Sequence, residues 1–280
     1  MTTDVGNPPV HRDAPFELVR RRADLVLRRA VVASVADLGP RYRRVVLTGA
    51  DLAGFASAGA DDHLRLFVPG ADGSLVLPEI GPEGLVPPGP GDPRPVSREY
   101  TPVAWGGTGA DAWLTLDLVV HPGGHASDWV TRAQPGDPAA VGGPRGSLVV
   151  AGTPAWWLLA GDLTALPAIR RHLAAVAGAP ATVLLLVVSA EDAEPHLASL
   201  AGADVSVLVA PEVATGDTAP LAEAVMAWTP PGAPDAGLAF VAAEQSIVSP
   251  ARARLSALGV THSVVKGYWK HGDAEHHAPH

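Results

Sequence analysis

At 280 residues, with 47% hydrophobic and 18% charged residues, the chain can form one large domain or two ordinary ones and bury a full core. A formal net charge of -9 leaves no basic surplus to neutralise phosphates, which excludes nucleic acid as a partner. There is no cysteine, so disulfides, cysteine-ligated iron–sulfur clusters and thiol nucleophiles are excluded, and any redox chemistry must ride on a bound organic cofactor.

Residues 1–22 are mostly polar, end in the basic run Arg20–Arg22, and are expected to form an N-terminal arm. They contain no apolar signal-peptide core, and nowhere does an uninterrupted apolar run reach about eighteen residues. The expectation is a cytoplasmic protein with no stable membrane association. Leu25–Val35, Tyr42–Leu47 and His63–Val68 are rich in β-branched and aromatic residues, are bounded by Gly, Pro or Asp, and are predicted as strands. Residues 69–97 are rich in Gly and Pro and form a long loop, with a short hairpin predicted at Ser74–Leu77. Trp113–His121 alternates and then becomes continuously apolar, as a barrel strand does; a short helix ends around Ala133, and Val141–Val150 is predicted as one closing strand. Many short strands before residue 150 imply an antiparallel β-barrel over residues 23–152.

The pattern then changes. Strands are predicted at Trp157–Ala160, Thr182–Val188, Val205–Val209, Leu238–Ala242 and Val260–Val265, and helices at Leu166–Ala177, Glu191–Leu200, Pro220–Trp228 and Val248–Leu258. Such alternation implies a mostly parallel sheet covered by helices, here over residues 153–280. Ligands collect where the strands of such a sheet end, which singles out Gly161–Pro167 and Ala242–Ser246. A Gly-x-Gly-x-x-Gly dinucleotide fingerprint is missing.

Three stretches carry candidate chemistry. In Ser97-Arg-Glu-Tyr-Thr-Pro102, Arg98 and Tyr100 are two apart in an extended segment and share a face, with Thr101 at its edge. An arginine fork, an aromatic ring and a hydroxyl suit a planar, phosphorylated cofactor, although the same hexapeptide also reads as a half-buried strand with a solvated arginine. In His121-Pro-Gly-Gly-His-Ala-Ser-Asp-Trp129, Gly123 and Gly124 permit a tight turn into a helix whose first N–H groups could face an anion; an ordinary capped helix is the alternative. His271, His276, His277 and His280 cluster at the C-terminus, but a terminal tail without a scaffold supports no metal site.

Ser97–Pro102, His121–Trp129, Gly143-Pro-Arg-Gly-Ser147 and Gly161–Ile169 occur in the order found in the siderophore-interacting proteins, NAD(P)H-dependent ferric-chelate reductases of the ferredoxin-reductase-like group, which the chain resembles from Asp61 to Trp269. That resemblance implies FAD in the barrel, held by Arg98, Tyr100, Thr101 and Pro102, by Val119, Val120 and His121, and by the turn and helix carrying Gly123, Gly124, Ala126, Ser127 and Trp129. His63 would border the flavin and Trp269 would lie near its exposed face. It further implies NAD(P)H against Gly161, Asp162, Thr164, Ala165, Leu166, Pro167, Glu244 and Ser246, with NADPH favoured and reduced ferredoxin as the alternative donor.

The implied substrate is a ferric siderophore, drawn by Arg65, Arg145, Lys266 and Lys270, with Fe(II) released and the protein acting as a monomer. No nucleophile, general base or resident metal is implied. The chain departs from many relatives at Leu163, where they are acidic, and at Ala243, where they carry glycine. Neither Arg170 and Arg171 nor Arg252 and Arg254 can be assigned to a ribose phosphate, since each also reads as a solvated helix residue. The rival functions are a general or ferredoxin-linked flavin reductase of the same fold and a non-catalytic siderophore-binding protein.

Overall fold

The computed structural model describes residues 15–81, 84–86, 88–211 and 216–273. The chain begins with an antiparallel unit: β1 (Phe16–Arg22), β2 (Leu27–Gly39), β3 (Tyr42–Thr48), β4 (Leu64–Val68), β5 (Glu79–Gly81), β6 (Gly84–Val86), β7 (Val96–Tyr100), β8 (Pro102–Gly106), β9 (Trp113–Val119), α1 (His125–Arg132), β10 (Pro138–Gly142) and β11 (Gly146–Gly152). Seven strands form one sheet in the order β7-β4-β10-β2-β3-β9-β8. Its two edge strands, β7 and β8, are consecutive in the chain and are joined by Thr101 alone. β1 and β11 form a separate antiparallel ribbon, and β5 and β6 a small hairpin.

The period of two in β9 explains its place. Leu114, Leu116 and Leu118 point into the core of the antiparallel unit, where Leu114 and Leu116 lie opposite Leu47 and Val45 of β3. Thr115 and Asp117 point to the other face, yet both are buried, Asp117 against Arg170 of the second unit.

The second unit contains β12 (Trp157–Asp162), α2 (Leu166–Leu173), β13 (Ala181–Val187), α3 (Ala190–Ala193), β14 (Asp204–Val209), α4 (Ala219–Ala227), β15 (Leu238–Glu244), α5 (Val248–Ala257) and β16 (Ser263–Trp269). All five strands are parallel, in the order β14-β13-β12-β15-β16. The chain therefore reverses direction across the sheet at β12, and β12 and β15 are buried at every position, as the central strands of a doubly covered sheet must be. One face packs Leu159, Ile169, Leu185 and Phe240 together with Phe16 and Tyr42 of the antiparallel unit. The opposite face packs Trp156, Leu158, Leu221 and Leu255.

Several expectations are corrected. Residues Phe16–Arg22 of the expected arm are a strand paired with β11; residues 1–14 lie outside the described residues. Ser74–Leu77 forms no strand, and the hairpin lies at β5 and β6. The single closing strand over Val141–Val150 is two strands that pair with different partners, separated by the turn at Gly143–Arg145, which contains a cis Gly143–Pro144 bond. The antiparallel expectation holds for these seven strands, whose pairings run from β7 at one end to β8 at the other.

The helix expected over Leu166–Ala177 stops at Leu173 and is followed by turns, with Ala177 at φ +51 and Gly178 at φ +84. The helix expected over Glu191–Leu200 is the four-residue α3 followed by 3₁₀ turns from Glu194, where Pro195 withdraws an N–H donor. The final strand runs Ser263–Trp269 rather than Val260–Val265, which brings Lys266 and Trp269 onto the parallel sheet.

Candidate active site

A cleft of about 600 Å³ opens where the antiparallel unit meets the ends of β12, β13 and β16. It has the size and position at which α/β sheets take ligands. From the first unit it is lined by His63, Arg98, Tyr100, Thr101, Val119, Val120, His121, Gly123, Gly124, Ala126 and Ser127. From the second come Asp162, Thr164, Pro167, Lys266, Trp269 and Lys270. Twelve of the fourteen residues assigned to FAD by resemblance thus meet in one cavity, although they come from four separate stretches of chain.

The turn after β9 is built around Ser127. Its hydroxyl accepts from the His121 N–H (3.2 Å) and donates to the Val119 carbonyl (3.3 Å), which holds the strand end against α1. Gly123 has φ +77, a conformation that glycine adopts at little cost. At Gly124 the constraint is space, since an added Cβ would meet the His121 ring at 2.5 Å. Among the described residues no side chain caps α1 at Gly124, and Gly124, Ala126 and Ser127 at this helix start line the cleft. Arg98 lines the same cleft, and among the described residues its guanidinium donates only to the neighbouring Ser97 carbonyl at 2.7 Å. Helix N–H groups and an arginine fork together fit a diphosphate, and the half-buried Tyr100 supplies an aromatic wall.

The opposite wall is organised by Asp162 at the end of β12. Its carboxylate accepts from the Thr164 N–H at 2.8 Å, from the Thr164 hydroxyl, and from the Trp269 indole N–H at 2.8 Å. Burial nevertheless lifts the Asp162 carboxyl above its ordinary range, the hydrogen bonds only partly opposing that. Trp269 is thereby fixed at the rim by a buried acid 107 positions earlier in the chain.

Other expected residues lie elsewhere. Trp129 is on the buried face of α1 within the core, and Pro102 is buried with its carbonyl accepting from Arg171 at 3.4 Å. Gly161, Ala165 and Leu166 are packed beneath the cleft rather than lining it. At Gly161 a Cβ would strike the Ala242 carbonyl at 2.4 Å, so this glycine serves the close approach of β12 and β15. Glu244 accepts from the Ser246 N–H (2.6 Å) and the His271 N–H (3.1 Å), while the Ser246 hydroxyl meets that of Thr218 at 2.7 Å. Glu244 and Ser246 thus organise the end of β15 outside the cleft lining. Leu163 lines the cleft, whereas Ala243 is core.

Arg65 and Arg145 line a neighbouring pocket of about 110 Å³ that shares His63 and Glu99 with the main cleft. Arg65 is ion-paired to Glu99 (3.2 Å), and Lys266 to the buried Asp61 (2.7 Å). Burial raises the Asp61 carboxyl, but Lys266, with His172 and His63, holds it below its ordinary value overall.

Sequence reasoning missed the polar seam that fixes the two units to each other. Asp117 of β9 is held by Arg44 (2.7 Å) and, across the seam, by Arg170 of α2 (3.2 Å). Arg170 also meets His196 Nδ1 at 2.9 Å; as arginine only donates, that nitrogen is the acceptor and the imidazole is neutral. Arg171 donates to the Ser57 carbonyl (2.8 Å) and hydroxyl (3.0 Å) and stacks over Trp105 at 5.1 Å. Arg252 and Arg254 donate to the carbonyls of Val265 and Trp228. The four helix arginines are therefore engaged with protein rather than simply solvated. The available signal was Asp117 itself, a charge set among the leucines of Trp113–Val119.

Residues 31–148 match the Siderophore-interacting FAD-binding domain, and residues 154–272 match the Siderophore-interacting protein family. The chain belongs to the siderophore-interacting proteins. This siderophore-interacting protein is similar to an NADPH-dependent ferric-chelate reductase of Escherichia coli, 44% identical over 154 residues covering 55% of this chain and 59% of that protein. It is similar also to the ferric vibriobactin reductase of Vibrio cholerae, 36% identical over 46% of this chain and 47% of that one. The matches thus span between about half and three-fifths of those relatives.

Among solved structures, a siderophore utilization protein from T. fusca superposes with a TM-score of 0.81 at 28% identity, covering 93% of this chain and 99% of the other. A siderophore-interacting protein from Aeromonas hydrophila gives a TM-score of 0.66 at 26% identity, covering 88% of this chain and 98% of that one. Among the described residues of this family member, no helix is long and apolar enough to cross a membrane, and no group of three or more metal-ligating side chains is assembled.

Proposed function

We propose that the chain is an FAD-dependent reductase that passes electrons from NAD(P)H to the Fe(III) of a siderophore or similar chelate and so releases Fe(II). The observation that carries this reading is the convergence of Arg98, Tyr100, Thr101 and the N-terminus of α1 with the ends of β12 and β16 in one cleft, within a chain of the siderophore-interacting family. The joining of both sheet edges at Thr101 supports treating the antiparallel unit as a flavin-type barrel.

Arg98 and the first N–H groups of α1 would hold the diphosphate, Tyr100 would flank the ring system, and Thr101 would bond its polar edge. The chemistry that a bound flavin supplies is conversion of a two-electron hydride into the single electrons Fe(III) accepts. Asp162 and Thr164 fix the floor against which a nicotinamide would lie, and Trp269 shields that side from water. Arg65, Arg145, Lys266 and Lys270 would border the acceptor. NADPH is the donor named for the Escherichia coli relative, which supports NADPH here, with reduced ferredoxin as the alternative.

The deciding experiment is an anaerobic absorbance scan of the purified protein, with NADPH added first and a ferric siderophore with a ferrous trap second. Flavin bands that bleach and then recover as Fe(II) appears are expected. Bleaching by reduced ferredoxin but not by NADPH would change the donor. Chelate binding with no turnover under either donor would overturn the enzyme reading in favour of a binding protein. A second test concerns the acceptor side: Arg65→Ala with Arg145→Ala should weaken chelate reduction and leave FAD bound, and unchanged KM and kcat would refute those roles.

A further inference from the structure

The last strand carries a cleft residue that the site as described leaves without a role. In β16, Gly267 lies opposite Ala243 and Trp269 opposite Glu244, so Tyr268 is an extra residue at a bulge. Neighbours in a regular strand face opposite sides, whereas here Tyr268 and Trp269 both line the cleft. Gly267 lets the bulge pack against Gln245, since an added Cβ would come within 2.8 Å of the Gln245 Cα.

The Tyr268 side chain runs from the core of the parallel unit towards Thr101. Its ring meets Phe240 of β15 edge to face, with centroids 6.4 Å apart. Its hydroxyl is buried and acts on the Thr101 side chain, yet it completes no hydrogen bond among the described residues. Burial, with Asp61 and Asp162, lifts the phenol well above its ordinary pKa against the opposing Thr101 and Arg171, so it keeps its proton. Thr101 is itself buried, lines the cleft, and is the one residue between β7 and β8. A threonine hydroxyl has a single proton to donate. Accepting from Tyr268 leaves that proton to point into the cleft.

Resting on the reductase reading above, we infer that Tyr268 is a positioning residue for the polar edge of the cofactor: its hydroxyl donates to Thr101, which thereby presents its own O–H to the flavin. Electrons added to a flavin raise the negative charge on that edge, so a donor held there stabilises the reduced form, and each bond in the chain polarises the next.

The test is the midpoint potential of the FAD-loaded protein, measured by equilibration with a reference dye. Tyr268→Phe should keep its FAD and shift the oxidised-to-reduced ratio about three- to tenfold towards oxidised, a fall of roughly 14–30 mV for a two-electron couple. Thr101→Ser, which keeps the hydroxyl, should preserve that effect of Tyr268→Phe, and Thr101→Val should abolish it. A potential unmoved by Tyr268→Phe, or a shift that persists undiminished in Thr101→Val, would overturn this inference and leave the reductase reading standing. A potential that responds as expected in a protein that turns over no ferric chelate would sink the reductase reading alone. Wild-type protein that takes up no FAD would overturn both.

Discussion

Arg98 is the single side chain on which the proposed cofactor site depends most. It reaches the cleft from β7, and among the described residues its guanidinium bonds the adjacent Ser97 carbonyl alone, so its charge remains available to a diphosphate. Arg98→Ala should yield protein that purifies without flavin but melts within about 1 kcal/mol of the wild type, since a half-buried side chain with one local hydrogen bond contributes little to folding. A yellow variant would refute the role. His172 shows the opposite case. It is buried against Trp157 and Phe240, and burial pushes its pKa down to about 4. Between that value and the ordinary 6.5 the unfolded chain binds the proton and the folded chain does not. Stability is therefore full above pH 6.5 and falls as pH drops towards 4, by on the order of 2–3 kcal/mol. Denaturant melts between pH 7 and pH 4 should record this loss, and His172→Phe should reduce it, His196, whose pKa is also pushed down to about 4 by burial, accounting for a further part. An equal slope in that variant would assign the pH dependence elsewhere.

At the scale of elements, the junction of β9 with α1 determines whether the first N–H groups of the helix face the cleft. Ser127 tethers the two, and Gly124 leaves room for the His121 ring. Ser127→Ala removes both hydrogen bonds of one hydroxyl and should cost about 1–2 kcal/mol of stability together with a measurable loss of FAD affinity. Gly124→Ala should weaken FAD binding more, because the ring of His121 has to move out of the turn; flavin fluorescence during titration of the apoprotein would compare the two. The strand β9 was legible as a strand but not as a two-sided one. Its leucines gave the core face at once, whereas the ion pair that covers the buried Asp117 comes from α2, a helix that begins 49 residues after it.

For the whole molecule, the question is what keeps two units in fixed relation across a cleft that must bind ligand between them. Arg171 joins α2 to Ser57, to Pro102 next to Thr101, and to the Trp105 ring. Arg170 with Asp117, and Arg41 with Asp192, extend the seam. Arg171→Ala should destabilise the protein by about 2–4 kcal/mol, since Ser57 and Pro102 lose a buried donor and the stack on Trp105 is lost. It should also raise hydrogen exchange around Ser57 and Trp105 while flavin stays bound. Unchanged exchange there would show that Arg170 and the apolar contacts of Phe16 and Tyr42 suffice.

The sequence by itself determined the two halves and their strand and helix content, because period-two and period-3.6 patterns and glycine turns act over a few residues, while most of the cleft lining followed from the family resemblance. It also placed Arg98–Thr101 and Gly123–Ser127 in candidate ligand-holding segments. What the tertiary structure alone decided is how charges pair. Lys266 meets Asp61, Arg170 meets Asp117 and Trp269 meets Asp162 across separations of 205, 53 and 107 positions. No local pattern records such partners, since an ion pair is chosen by which surfaces the folded units bring together. The partners of Val141–Val150 were decided in the same way: on either side of the turn at Gly143–Arg145, β10 pairs with β2 and β11 with β1.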